Sequence, residues 1–355
     1  MNYPFKNLVF KGGGIRGIAY LGALEVIDKK GILEKSENVA GASAGAITAL
    51  LVSLGYNFEE IKTRANALDY RKIQQEPIEP SKKPYLSDEL KDIYPVPRGF
   101  LKMVMNPVNT YNQVSTYIGN AVNLRRRFGL YSSEYIYNWF GDQIEEKCGN
   151  RKATFADLVK TPGCKNLSVT ITNAVLKSTH ICNANHTPNL EVAKAVLASM
   201  SIPIFFEAVL INDYSNTEGL FMDGGVMHNF PIGIYDYNNQ PNPETLGFFI
   251  YTNEKETIDH IFHLKNYIGN TVSALLMAQD WDFARTSDDV QRTIQISDCE
   301  ISATNFDVTF GDDNYNKLYR AGKIGATTYF NNYDNDAVAE NAKVQFSAMK
   351  TKHLA

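Results

Sequence analysis

Asn7-Leu8-Val9-Phe10-Lys11-Gly12-Gly13-Gly14-Ile15-Arg16-Gly17 decides the fold, because it reads as a buried strand running through a glycine loop into a helix. One strand–helix unit later comes Gly41-Ala42-Ser43-Ala44-Gly45, entered from the short apolar run Val39-Ala40 and left through Ala46-Ile47-Thr48-Ala49-Leu50-Leu51. A glycine loop ahead of a helix presents unpaired backbone N–H groups and the positive end of the helix dipole to an anion. A serine pinched between glycines on a strand-to-helix turn projects its hydroxyl into the open. Side by side, the two segments read as an oxyanion hole next to a nucleophile. The expected donors are the N–H groups of Gly13, Gly14 and Ile15, with Ala44 directly after Ser43. Gly12, Arg16 and Gly17 complete the loop, and Gly41 and Gly45 flank the serine.

Gly12, Gly14 and Gly17 also satisfy the G-x-G-x-x-G pattern of a dinucleotide site. That site needs an acidic residue at the end of the next strand to hold a ribose hydroxyl. Here the next strand runs into Gly41–Gly45, and Glu34 and Glu37 fall before it, so a dinucleotide site is the weaker reading. A third segment favours the first. Leu220-Phe221-Met222 reads as a strand ended by Asp223-Gly224-Gly225, which sets a carboxylate at a strand terminus, where active residues of open α/β sheets gather. Taken alone, Asp223-Gly224 would be an ordinary turn dipeptide.

In this order the three segments resemble the patatin-like phospholipase family. Its glycine-rich motif matches Gly12–Gly17 including Arg16, its Gly-x-Ser-x-Gly matches Gly41–Gly45, and its Asp-Gly-Gly/Ala matches Asp223–Gly225. Ala198-Ser199-Met200-Ser201-Ile202-Pro203-Ile204-Phe205-Phe206 ahead of the aspartate, and Asn229 and Pro231 after it, also fit. The resemblance implies a three-layer αβα fold around a mostly parallel sheet. It implies that Ser43 is the nucleophile and Asp223 the base acting on it directly, with no histidine, metal or cofactor. Arg16 then holds the loop in shape or attracts a lipid phosphate. The implied substrate is a phospholipid or glycerolipid ester at a membrane surface, cleaved with release of fatty acid. An acyltransferase on the same scaffold, and an effector silent until a regulatory activator binds, are the other readings; a homo-oligomer is also left open.

With 355 residues, 44% hydrophobic and 21% charged, the chain is long enough for one large α/β domain. Its core motifs fall at about 5–255. The motif-poor stretch 56–165 is expected to form a helical cap, and 256–355 a C-terminal extension of helices and strand packed on the core. No apolar run reaches the roughly 18 residues of a membrane span, and no secretory leader is visible. Cys148, Cys164, Cys182 and Cys299 are scattered, as reduced thiols would be. A cytoplasmic enzyme that visits membranes peripherally, or a delivered effector, is the expectation. The net charge of −4 opposes nucleic-acid binding.

Helices are expected over Ile18–Lys30, Ala44 to about Leu54, Tyr135–Lys147, Val192–Met200 and His260–Thr286, with strands over Leu167–Thr172 and Leu246–Tyr251. Glu76–Arg98 reads as loop, and Pro107, Asn109 and Asn112 continue that irregular character. Arg125-Arg126-Arg127, after the apolar-aromatic Val114, Tyr117, Ile118, Ala121, Val122 and Leu124 and before Phe128, is either a lipid-facing basic cluster or a solvated helix end. His228 is the histidine nearest the motifs and the rival base; His260 and His263 lie three apart on a helix without an obvious third metal ligand.

Overall fold

The computed structural model describes residues 3–75, 127–212, 219–238, 240–252 and 286–333, together with Thr271, Ala274, Gln279, Asp280 and Phe283. Strands are β1 (Asn7–Phe10), β2 (Asn38–Ala42), β3 (Gly129–Tyr131), β4 (Asn166–Asn173), β5 (Ser178–Cys182), β6 (Ile204–Phe206), β7 (Val209–Ile211), β8 (Gly219–Asp223), β9 (Thr245–Tyr251) and β10 (Thr293–Ser297). Helices are α1 (Ile18–Lys29), α2 (Ile32–Lys35), α3 (Ala44–Ser53), α4 (Phe58–Ala67), α5 (Tyr70–Gln75), α6 (Glu134–Cys148), α7 (Phe155–Lys160), α8 (Val192–Met200), α9 (Ser287–Gln291) and α10 (Asp313–Tyr333). The expected boundaries hold to within a residue or two for α1, α3, α6, α8, β4 and β9. The loop expected over Glu76–Arg98 and most of the helix expected over His260–Thr286 lie outside the described residues. None of the four cysteines forms a disulfide.

An eight-stranded sheet in the order β10-β9-β1-β2-β4-β8-β7, with β5 also on β4, carries the molecule. From β10 to β4 the strands run parallel. Beyond β4 the sheet turns antiparallel, through β5, β8 and β7. Short β3 and β6 pair apart from it. The parallel half is apolar and buried on both faces, as crossover helices require. Leu8, Phe10, Val39, Phe248 and Ile294 enter the larger core under α1, α3 and α8, while Val9, Ala40 and Phe249 meet Phe230, Ile232 and Phe283 on the other face. In β4 the alternation of Leu167, Val169 and Ile171 with Ser168, Thr170 and Thr172 separates two buried faces, not an inside from an outside.

The register places the candidate residues. Ala42 stands opposite Thr170, and Ile171 stands opposite Asp223. Because β5 occupies one side of β4 over 169–173, β2 and β8 share the other, and Ser43, one residue past Ala42, meets Asp223 end to end on that same side. Asp223 reaches that level at the end of a strand antiparallel to β4, so it enters from the direction opposite to the parallel strands whose carboxyl ends the sequence reading invoked.

Residues 293–333 belong to this framework: among the described residues β10 is an edge of the sheet, and α10 lies along α1. Their crossing depends on two glycines. A Cβ on Gly22 would fall 1.9 Å from Tyr319 O, and one on Gly322 would fall 1.7 Å from Ala19 O. Gly22→Ala and Gly322→Ala are each expected to cost about 1–3 kcal/mol, the range for overpacking a close contact. Urea unfolding measures this; midpoints equal to the wild type would mean that the helices do not meet this tightly.

Candidate active site

Ser43 occupies the turn between β2 and α3 with φ 51° and ψ −126°, a conformation non-glycine residues rarely adopt. The flanking glycines leave room for it: a Cβ on Gly41 would meet Gly45 O at 2.3 Å, and one on Gly45 would meet Phe10 O at 2.3 Å. The Ser43 N–H donates to Ser199 Oγ at 2.9 Å, and that hydroxyl donates to Thr170 O at 2.7 Å. The Ser43 hydroxyl donates to Asp223 Oδ2 at 2.7 Å. Asp223 is fixed at three points besides: its own N–H donates to Ser201 O, the Gly225 N–H donates to its Oδ1 at 2.6 Å, and Gly224 packs on Thr170 O too closely for a side chain. Burial penalises the charged carboxylate and pushes Asp223 up to about 7, although its hydrogen bonds with Ser43 and Gly225 pull the other way. A serine held by a carboxylate of that basicity has a proton acceptor in place.

The glycine loop contributes fewer donors than its sequence suggests. Gly12 N–H is taken by Asn229 O, Ile15 N–H by Ala303 O, and Arg16 N–H by Gly13 O. These three are therefore not free for an oxyanion, and Ile15 in particular drops out of the expected set. The N–H groups of Gly13, Gly14 and Ala44 have no acceptor among the described residues. Gly14 takes φ +58°, and a Cβ there would fall 2.1 Å from Ala303 O, so a side chain at Gly14 would disturb the fold as well as any reaction. Gly17 packs its bare Cα against the Ala44 methyl.

Arg16 anchors the loop from behind. Its Nε donates to Ile301 O at 2.7 Å, its Nη1 to Thr252 Oγ1 at 2.9 Å, and its Nη2 lies 3.3 Å from Asp298 Oδ2. With 7% exposure, it does not offer its charge to a phosphate in solvent. Lys11 is buried likewise, bonded to Ile250 O and paired with Asp280. Gln279 clamps the turn that follows β8: its Nε2 donates to Gly225 O at 2.7 Å and its Oε1 accepts from Asn229 N at 2.7 Å. Sequence reading missed Gln279, Asp280, Asp298 and Ala303, which stand more than fifty residues beyond Asp223. The signal that could have found the first two is polar Gln279-Asp280 following the apolar Ala274-Leu275-Leu276-Met277-Ala278.

Among the described residues no histidine ring bonds to Ser43 or Asp223. His228 is exposed, and its N–H donates to Gly224 O. His260, His263 and His353 lie outside the described residues. No group of three His, Cys, Asp or Glu side chains suited to a metal occurs among the described residues. Of the basic cluster, Arg125 and Arg126 lie outside them, as do Val114–Leu124. Arg127 is buried and paired with Glu207 at 3.1 Å, which corrects both expectations for it, the lipid-facing cluster and the solvated helix end. Glu207 also accepts the Ser133 N–H at the start of α6, so this arginine ties β3 to the segment after β6.

Ser43, Gly14 and Ala44 border a narrow apolar cavity of about 70 Å³. Its walls include Leu21 of α1, Leu51 of α3, Ile61 of α4, Trp139 of α6 and Phe206. Residues from the expected cap region thus line the space beside the serine.

A family model described as patatin-like phospholipase matches residues 8–236. The Bacillus subtilis protein YqhO is 32% identical over 230 residues, which cover 64% of this chain and 65% of that one, so the match spans just under two-thirds of its length. A protein of invertebrate iridescent virus 6 named "Probable lipid hydrolase 463L" is 27% identical over 248 residues, 69% of either chain. Among solved structures, VipD from Legionella pneumophila superimposes with a TM-score of 0.55 at 18% identity, over 92% of this chain and 67% of VipD, a likeness of fold.

The raised Asp223 pKa has a consequence for stability. The folded state holds that proton more tightly than the unfolded chain, where an aspartate titrates near ~3.9. The favourable contribution is therefore complete below about pH 4 and is lost as pH rises through about 7. Asp223→Asn, which cannot ionise, is expected to be more stable than the wild type at alkaline pH by on the order of 4 kcal/mol, with the gap closing as pH falls toward ~4. Denaturant titrations at several pH values measure it, and a gap independent of pH would show that Asp223 is not held this way.

Proposed function

This chain belongs to the patatin-like phospholipase family, and from that footing we propose that it is a serine lipid acyl hydrolase working through Ser43 and Asp223. The observation that carries this reading is the 2.7 Å hydrogen bond from Ser43 Oγ to a buried Asp223 whose basicity burial has raised.

In the proposed cycle, Ser43 Oγ attacks the carbonyl carbon of a glycerolipid ester as its proton passes to Asp223 Oδ2. The carbonyl oxygen becomes the oxyanion and is met by the N–H groups of Gly13, Gly14 and Ala44, each worth roughly 10²–10³ in rate in comparable sites. Collapse of the tetrahedral intermediate breaks the ester C–O bond. The leaving alcohol oxygen takes the proton from Asp223, and the acyl group stays on Ser43. Water then repeats the sequence: Asp223 accepts its proton, hydroxide adds to the acyl carbon, and Ser43 leaves reprotonated with release of a fatty acid. The apolar cavity beside Ser43 suits a hydrocarbon chain and offers it no charged partner. Among the described residues no helix is long and apolar enough to cross a membrane, and the enzyme is proposed to meet its substrate peripherally at the bilayer surface.

Ser43→Ala and Asp223→Asn are expected to lower hydrolysis of a short-chain soluble ester by about 10² or more, the scale for losing a nucleophile or a general base, with circular dichroism unchanged. A fluorophosphonate probe should mark Ser43 and no other residue. His228→Ala should stay within a few-fold of wild type; loss of activity in that variant with an intact fold would return the base role to histidine.

The pH profile tests the base independently. Asp223 must be deprotonated to accept the serine proton, so kcat/KM should fall about tenfold per pH unit below about 7 and level off above it. A profile flat down to pH about 5 would remove Asp223 from the role.

A further inference from the structure

The hairpin joining β4 to β5 turns over Ala174-Val175-Leu176-Lys177. Val175 and Leu176 are 64% and 65% exposed, and among the described residues they are the one adjacent pair of large apolar side chains both standing in solvent. Exposed apolar residues scattered singly need no explanation, whereas an apolar pair at the tip of a projecting hairpin does. The turn is also built to hold them out. The buried Asn173 accepts the Val175 and Leu176 N–H groups on its Oδ1, both at 2.9 Å, and the Ala174 N–H donates to Leu220 O. Three backbone donors of the tip are therefore satisfied from within the protein. That lowers the cost of taking the tip out of water, because a buried unpaired N–H is expensive in an apolar medium. Lys177 follows the pair with an exposed cationic side chain.

Position gives the tip its meaning. β4 runs toward the edge of the sheet where Ser43 lies, and Ile171 is level with Asp223. The turn begins three residues further on, so at about 3.3 Å per residue the tip stands roughly 10 Å beyond the catalytic pair. Interfacial elements bury their apolar face about 5–10 Å into the boundary between headgroups and acyl chains. A tip sunk to that depth would bring Ser43 to the level at which glycerolipid ester bonds sit.

We propose that the Val175-Leu176-Lys177 hairpin tip is the membrane-contacting element of this protein, inserting its two aliphatic side chains into a phospholipid bilayer with Lys177 at the headgroup level. The inference rests on the lipid-hydrolase reading for its purpose, and its geometry stands apart from the catalytic chemistry. The aliphatic pair supplies attachment to any bilayer, and Lys177 adds attraction to anionic headgroups alone.

The test separates binding from catalysis. In a Ser43→Ala background, which prevents turnover during the measurement, co-sedimentation with phosphatidylcholine vesicles is compared with and without Val175→Ser/Leu176→Ser. The double variant is expected to partition about tenfold less or lower still, because burying several methyl and methylene groups is lost. Lys177→Gln should weaken binding to phosphatidylglycerol vesicles and leave phosphatidylcholine unaffected. A Leu176→Trp variant should show a blue-shifted emission increment over wild type on adding vesicles. With Ser43 present, the double variant should hydrolyse a short soluble ester like wild type and vesicle phospholipid about tenfold more slowly. Unchanged partition in the double variant, no tryptophan shift, or no vesicle binding by the parent protein would each overturn the proposal. A change in oligomeric state of the double variant by sedimentation velocity, with vesicle binding intact, would reassign the tip to a protein contact. Failure of the wild type to cleave the soluble ester would instead defeat the catalytic reading, while the sedimentation and fluorescence arms still decide the tip.

Discussion

A carboxylate buried within hydrogen-bond reach of a serine hydroxyl is the constraint on which the arrangement around β4 depends. Asp223 would be more comfortable in water, and its raised pKa records the penalty. The surrounding backbone is organised to keep it in place. Ser201 O takes its N–H, Gly225 N–H meets one carboxylate oxygen, and Ser43 meets the other. The strained backbone of Ser43 is held by its N–H bond to Ser199, itself bonded to Thr170 O. Thr170 is the residue of β4 paired with Ala42. The two side chains are thus positioned around one buried strand, with the buried Ser199 hydroxyl as the link between Ser43 and that strand.

The second dependence runs to residues 279–303. The family match stops at residue 236, yet both loops of the candidate site lean on residues past it. Ala303 O receives the Ile15 N–H, Ile301 O and Asp298 hold Arg16, Asp280 holds Lys11, and Gln279 fastens Gly225 to Asn229, whose carbonyl in turn receives Gly12. This explains a local observation that sequence alone leaves unexplained. A triple glycine would otherwise be among the most mobile backbones in the protein, since glycine loses the most freedom on ordering. Tethering on both sides leaves Gly13 and Gly14 with fixed and unoccupied N–H groups between them.

Much of the fold was legible because its signals are local. Buried strands such as Leu246–Tyr251 are apolar almost throughout, and a glycine just past α1 or α3 marks where each stops. Ser43 and Asp223 could be singled out because each sits in a glycine-bracketed turn whose close contacts forbid side chains. What was not legible is non-local. The antiparallel direction of β8 is set by pairing across fifty residues, and nothing in Leu220-Phe221-Met222 encodes it. Whether an N–H in the glycine loop is free depends on Ala303, which no reading of Gly12–Gly17 can supply. Arg127 reads as a surface charge in its run of three arginines and is buried because Glu207, eighty residues away, pairs with it.

The same network bears on where the electrostatic stabilisation of an oxyanion would come from. Two cations, Lys11 and Arg16, flank the glycine loop and could be taken for its source. Both are buried, and each is matched by a carboxylate, Asp280 and Asp298. Two cations and two anions sum to zero, and paired opposite charges at about 3 Å leave a field that falls off steeply with distance. Burial also pulls Lys11 below its ordinary range, and Asp280 beside it works against that pull. Backbone dipoles carry no such cancelling partner. Gly14 and Ala44 line the cavity that Ser43 borders, Gly13 directly precedes Gly14, and Ala44 adds the amino end of α3. A short dipole aimed at the reacting atom outweighs a neutralised charge pair behind the loop. The charged residues here hold the loop in place, and in the proposed reaction the loop's own backbone would stabilise the oxyanion.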